Sequence, residues 1–215
     1  MNLTGLVALA LLLHPPSSAD RLEEILEQMK KAGERLHTLT ATFEQTDQDS
    51  ILQESDVSQG RLYLKLPGRI RWEYEAPSKK ILVVRDDLVR LYNPASRQVQ
   101  EFDRSKGGTM GGADLLVGFG KSNSTIGKNY DVSLVSEDEG TVVLELVPKP
   151  DSAASLFTRI ELTLDKKSWT PVRSVFHEPN RDRTDIRFSR VELDVALPDS
   201  TFELDLPANV EVIRS

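Results

Sequence analysis

The sequence predicts a mainly β protein led by one helix, its strands arranged as an antiparallel sandwich or as an open or closed barrel. Three observations carry that expectation. Near the N-terminus Leu22, Ile25, Leu26, Met29, Ala32 and Leu36 recur at helical spacing. From residue 38 onward the apolar period changes to two, as half-buried strands require. Turn residues then punctuate the chain at short intervals: Pro67-Gly68, Asn93-Pro94, Glu139-Gly140, Glu178-Pro179-Asn180 and Pro198-Asp199.

The helix is expected to start at Asp20, which stands three residues before Glu23 as in a capping box, and to end near His37. Strands are expected around 39–46, 60–66, 70–74, 80–84, 89–92, 98–102, 130–135, 141–148, 156–164, 171–177, 184–194 and 201–204. The stretch LYLKLPGRIRWEYEAP, residues 62–77, keeps its alternation across its own turn: Leu62, Leu64, Leu66, Ile70, Trp72 and Tyr74 all share one parity. If Leu66 and Ile70 face the same side, the connection between the strands must hold an odd number of residues, such as Pro67, Gly68 and Arg69.

Bulk properties set the scale. A chain of 215 residues, 39% hydrophobic and 28% charged, builds one ordinary core, so residues 20–215 are expected to form a single domain. Residues 3–13 (LTGLVALALLL) are apolar, followed by HPPSSA and Asp20. Such a run is below the roughly 20 residues that span a bilayer, and Ser17 and Ala19 occupy the small-residue positions of a cleavage site. Residues 1–19 therefore read as a secretory leader cut near Ala19. Cysteine is absent, which excludes both a disulfide framework and a lipid attached through a cysteine. The net charge of -7 argues against sequence-independent binding to nucleic acid or to an anionic membrane face.

One glycine-rich segment, KGGTMGGADLLVGFGKSN at 106–123, encloses the apolar patch Leu115, Leu116, Val117 and Phe119. It reads as a mobile loop with one or two helical turns, acting either as a lid on the sheet or as a plug for the end of the core. The areas make the choice matter. About ten five-residue strands present a face of roughly 48 by 17 Å, on the order of 800 Å². A helix of about 18 residues covers on the order of 270 Å². Helices alone leave apolar surface bare, so the sheet must fold on itself, close into a filled barrel, or curl around a cavity for an apolar guest.

At this point the sequence resembles the LolA family, periplasmic carriers of outer-membrane lipoproteins. The likeness runs from the N-terminal helix and the FEQ of Phe43 to Gln45, through LYLKLPGRIRWEYEAP and ILVVRDDLVRLYNP at 81–94, to FELDLPANVEV at 202–212. The resemblance implies a mainly β fold with α: a strongly curved antiparallel sheet, an incomplete β-barrel, closed by the N-terminal helix and a short lid helix. It implies a hydrophobic cavity for acyl chains lined by Met29, Phe43, Leu64, Leu66, Ile70, Trp72, Leu82, Val84 and Leu91, with Leu115, Leu116 and Phe119 from the lid. The implied partners are acylated lipoproteins as cargo, an inner-membrane ATP-driven extractor and an outer-membrane acceptor. The protein would work as a monomer in the periplasm, without cofactor or nucleic acid. One position departs from the pattern. The family often has a lid-latching arginine between the Lys and Pro of the hairpin turn, and here that residue is Leu66. The lid is then expected to close by apolar contact alone, or through another arginine such as Arg61.

The physics of such a carrier is simple. Each buried methylene contributes about 0.8 kcal/mol, so one chain of about 14 carbons left in water costs on the order of 10 kcal/mol. Crossing an aqueous compartment requires a shield. Hydrophobic contact is also non-directional, which lets one cavity accept many cargoes by their common lipid.

Enzyme chemistry finds little support. GFGKS at 118–122 imitates the end of a phosphate loop, but Leu115 stands where the first glycine is required. His37 and His177 have no second histidine at ligand spacing, which favours structural or solvated roles. Asp47 with Asp49, and Asp182 with Asp185, read as solvated turn acids rather than acid/base pairs. Arg181, Arg183, Arg187 and Arg190 form a basic cluster, either a solvated strand face or a docking patch for an acidic surface. A regulatory module sensing lipid or peptide on the same fold, or a carrier of another lipid, are the competing readings.

Overall fold

The computed structural model describes residues 17–103, 123–150 and 156–214. Most of the expected leader and of the glycine-rich segment, with Leu115, Leu116 and Phe119, lies outside them. Helix α1 is Ser18–Arg35 and helix α2 is Asn123–Asn129. The strands are β1 Thr38–Asp49, β2 Glu54–Lys65, β3 Arg69–Ala76, β4 Lys80–Arg85, β5 Leu88–Asn93, β6 Gln98–Asp103, β7 Tyr130–Glu137, β8 Thr141–Pro148, β9 Arg159–Asp165, β10 Pro171–His177, β11 Arg183–Leu193 and β12 Glu211–Arg214.

They form one open, curved 12-stranded sheet in the order β12-β6-β5-β4-β3-β2-β1-β11-β10-β9-β8-β7. Every neighbouring pair is antiparallel except β12 on β6, which is parallel. The seam between β1 and β11 joins two runs of consecutive hairpins, one made by β1 to β6 and the other by β7 to β11.

Three local expectations need correction. The capping box begins at Ser17, whose hydroxyl accepts from the Asp20 N–H at 3.2 Å while the Asp20 carboxylate accepts from the Ser17 N–H at 3.1 Å. Asp20 is the far acid of the box rather than its cap, and the helix ends at Arg35 because Leu36 is extended. The predicted strand at 201–204 is a 3-10 turn, Asp199–Phe202, and the last strand lies further on at β12. The β2–β3 connection does hold an odd number of residues, but they are Leu66, Pro67 and Gly68, with Lys65 opposite Arg69.

The period-two pattern sorts side chains onto two faces. The inner face carries one core cluster drawn from both runs of hairpins: Leu39, Ala41, Phe43, Leu62, Leu64, Ile70, Trp72, Val84 and Val89 meet Val142, Leu144, Leu146, Ile160, Leu162, Leu164, Phe176 and Ile186. From α1, Ile25 and Met29 bury into it, with Leu36 just past the helix end. The outer face of β3 to β5 has its own cover. Phe202, with no exposed surface, lines a cleft of about 230 Å³ together with Val83, Leu88 and Arg90. That strap is pinned by Arg71, which donates to the Thr201 and Glu203 carbonyls, and by Asp199, which pairs with Lys65 at 2.7 Å and Arg69 at 2.5 Å. Those two cations hold the Asp199 carboxyl down at about 2. No described helix is long and apolar enough to cross a membrane.

Candidate functional site

The inner face is the candidate site, and its side chains stand in rows set by strand register. One row is Ile70, Leu64 and Leu39; the next holds Trp72, Leu62 and Ala41. Then come Tyr74, Gly60, Phe43 and Phe188, followed by Ser58, Gln45 and Ile186, and finally Asp56, Asp47 and Thr184. Along the strands the face therefore passes from wholly apolar to polar.

Aromatic rings fill the middle rows. Phe43 lies 4.9 Å from Trp72 and 5.1 Å from Tyr74 between ring centroids, and Trp72 lies 6.1 Å from Phe188. Edge and tilted arrangements of this kind satisfy the ring quadrupoles. Gly60 makes the packing possible. A Cβ there would sit 2.8 Å from the Phe43 ring and 2.0 Å from the Glu73 carbonyl oxygen, so only glycine fits.

Beside the rings, Tyr74 donates to Gln45 Oε1 at 2.9 Å, the Gln45 amide donates to Asp47 at 2.8 Å, and Thr184 donates to Asp47 at 2.7 Å. Burial, then the nearby Asp47 charge, push the Tyr74 phenol up to about 12, which keeps its proton in place at neutral pH. One polar atom is left over. The buried Trp72 Nε1 has no hydrogen-bond partner among the described residues, a condition that costs about 1–3 kcal/mol.

A cleft lined by Leu39, Ala41, Leu62, Leu64, Pro171, Phe188 and Val191 opens on the apolar rows. Its volume is about 20 Å³, room for about one water molecule. An acyl chain can enter that cleft only by displacing side chains that line it. At one end α1 is fastened by a bidentate pair: Arg21 reaches Glu137 of β7 at 2.9 and 2.5 Å, and Lys166 reaches the same carboxylate at 2.7 Å. Hydrogen bonds from Arg21, then from Lys166, hold the Glu137 carboxyl down at about 2.

The structure brings Met29, Phe43, Leu64, Ile70, Trp72 and Val84 into this one cluster, with Leu66 and Leu82 half-buried against it. Leu91 stands opposite Leu82 on the same face. Leu66 gives its N–H to the His37 carbonyl at 2.8 Å. Arg61 is on the outer face, paired with Glu75 at 2.8 Å, and so is wrongly placed to latch anything over the inner one. The residues contributed by β8 to β11 were not among the expected lining, although Val142, Leu144 and Leu146 repeat the same alternation.

The remaining candidate chemistry is structural. Arg173, Arg183 and Arg187 gather around the buried Asp185 on the outer face, and they hold its carboxyl below the usual range. Asp49 caps the turn after β1, and Asp182 accepts from the Ser50 N–H. His37 lies by Asp194 and His177 by Glu161. No cluster of His, Asp or Glu among the described residues is arranged to hold a metal ion.

The described residues form a single open, curved sheet with an apolar inner face, a surface suited to binding. The chain belongs to the LolA family, whose model, described as outer membrane lipoprotein carrier protein LolA, matches residues 34–205. An outer-membrane lipoprotein carrier protein of Azotobacter vinelandii is 29% identical over 93% of this chain and 91% of its own. One of the same description from Pseudomonas aeruginosa is 30% identical over 84% of this chain and 83% of its own. Among solved structures, an uncharacterized conserved protein of Thermus thermophilus superposes with a TM-score of 0.58 at 17% identity, covering 91% of this chain and 99% of that one. MucB superposes with a TM-score of 0.55 at 17% identity, covering 93% of this chain and 67% of that one. At such identities these two structures speak to the fold alone.

Proposed function

We propose that this protein is a periplasmic carrier that shields the acyl chains of lipoproteins and moves them from an extractor in the inner membrane to an acceptor at the outer membrane. The observation that carries the reading is the inner face, where apolar side chains from both runs of hairpins meet beneath a helix. Relatives described as outer-membrane lipoprotein carriers, matched along most of the chain, support the same cargo. On this reading the protein acts by binding and needs no catalysis. Loading, on the same reading, displaces side chains that line the cleft. Release requires only an acceptor that binds more tightly, because the contacts are non-directional.

The test is native mass spectrometry of the protein purified from its own periplasm. A co-purified triacylated lipoprotein is the expected result. Free lipid in its place would assign a different cargo, and a persistently empty protein that also refuses added lipoprotein would overturn the proposal.

A further inference from the structure

We propose that the boundary between the apolar and polar rows of the inner face is a subsite for the linkage region of an acylated ligand, in which the Trp72 indole N–H donates to an acyl carbonyl oxygen. This rests on the acyl-carrier reading and adds to it the direction in which the ligand lies.

The first support is the donor itself. Trp72 Nε1 is buried and, among the described residues, unpartnered while its ring packs against Phe43 and Phe188. Phenylalanine would supply similar packing without stranding a polar hydrogen. An alkyl chain offers no acceptor, whereas the ester or amide that joins it to a head group does.

The second support is that the inner face changes from apolar to polar along its strands, at the level of Ser58 on β2 and Gln45 on β1 and one row later, at Thr184, on β11. On β3 the order is Ile70, Trp72, Tyr74; on β2 it is Leu64, Leu62, Gly60, Ser58, Asp56. β1 runs Leu39, Ala41, Phe43, Gln45, Asp47, and β11 runs Phe188, Ile186, Thr184. Exposure follows the same direction: Leu62 and Gly60 are buried, Ser58 is half-buried and Asp56 is exposed. The cleft opens on the apolar side of that level, lined by Leu39, Leu62 and Leu64. The hydrogen-bonded groups of Tyr74, Gln45, Asp47 and Thr184 lie on the other. Acyl chains therefore point towards Leu39 and Leu64, and the polar head towards Gln45 and Asp47. Trp72 stands in the last apolar row before the aromatic one and packs against Phe43 and Phe188 of that next row, which places its indole between the cleft and the polar rows.

Monomyristoyl glycerol and tetradecyl glyceryl ether, which differ by that carbonyl, are the probes. The wild-type protein is expected to bind the ester about fivefold more tightly, the effect of one neutral hydrogen bond. Trp72→Phe is expected to bind both equally. In the wild-type protein the indole N–H resonance of Trp72 should move downfield with the ester and not with the ether, a readout that needs no variant to fold. A nitroxide on the glyceryl end should broaden the amides of Gln45 and Ser58 more than those of Leu39 and Leu64. Equal binding of the two lipids with an unmoved indole resonance would overturn the subsite while leaving the carrier reading intact, and the reverse order of broadening would overturn the direction. Binding of neither lipid would overturn the carrier reading itself, and the subsite with it.

Discussion

Strands β4 and β5 carry apolar side chains on both faces, and the two faces are covered in different ways. On the outer face Val83 shares a cleft with the buried Phe202, whose segment is pinned through Arg71, Lys65 and Arg69. On the inner face Val84 and Val89 are fully buried, yet Leu82 and Leu91 beside them are only half-buried. Elsewhere on that face α1 adds Ile25 and Met29 to the core cluster, and it is tied to β7 by the Arg21–Glu137 pair. On the outer face the cover is a segment of the same chain held by ion pairs and backbone hydrogen bonds. An apolar face partly covered by a helix on a polar fastening is one that a guest can share.

The comparison can be broken from the outer side first. Phe202→Ala removes a fully buried ring and is expected to destabilise the fold by about 3–5 kcal/mol, read as a lowered urea midpoint. Lipid binding by the molecules that remain folded should be unchanged, and a change would mean the two faces are coupled. On the inner side, Leu91→Glu places a charge on the half-buried edge of the site. It is expected to weaken acyl-ligand binding roughly tenfold, about 1.4 kcal/mol, measured by displacement of a fluorescent fatty acid.

Smaller effects sharpen the role of the fastening. Arg21→Ala should lower stability by only about 0.2–1 kcal/mol, because the pair is partly solvated, yet raise the binding of an apolar dye as α1 loosens. The carboxyl of Glu137 is held at about 2 against an ordinary 4.5. A depressed carboxylate contributes fully above the ordinary value and loses that contribution as pH falls through the depressed one. Dye binding should accordingly rise between those limits in the wild-type protein, and Arg21→Ala should shift the rise towards the ordinary value.

Much of this was legible in the residues. Alternation in LYLKLPGRIRWEYEAP placed Leu64, Ile70 and Trp72 on one face, and the parity of its turn followed from the same pattern. The strap was not legible. FELDLP alternates as a strand would, but Phe202 is held by a surface that other strands assemble, and no local pattern encodes that. β12 escaped notice because a four-residue strand with exposed Val212 and Ile213 has no buried face to announce it. The rows across β11, β1, β2 and β3 needed register, which strand periodicity alone leaves free between distant segments.

That seam between β1 and β11 also governs how the molecule can be made. Leu39 pairs with Leu193, so a strand near the beginning of the chain waits for one near its end. Loop-closure entropy makes so distant a pairing slow, and until it forms the greasy halves stand open to water. A chain of this topology joins the two halves of its core only once β11 has been made.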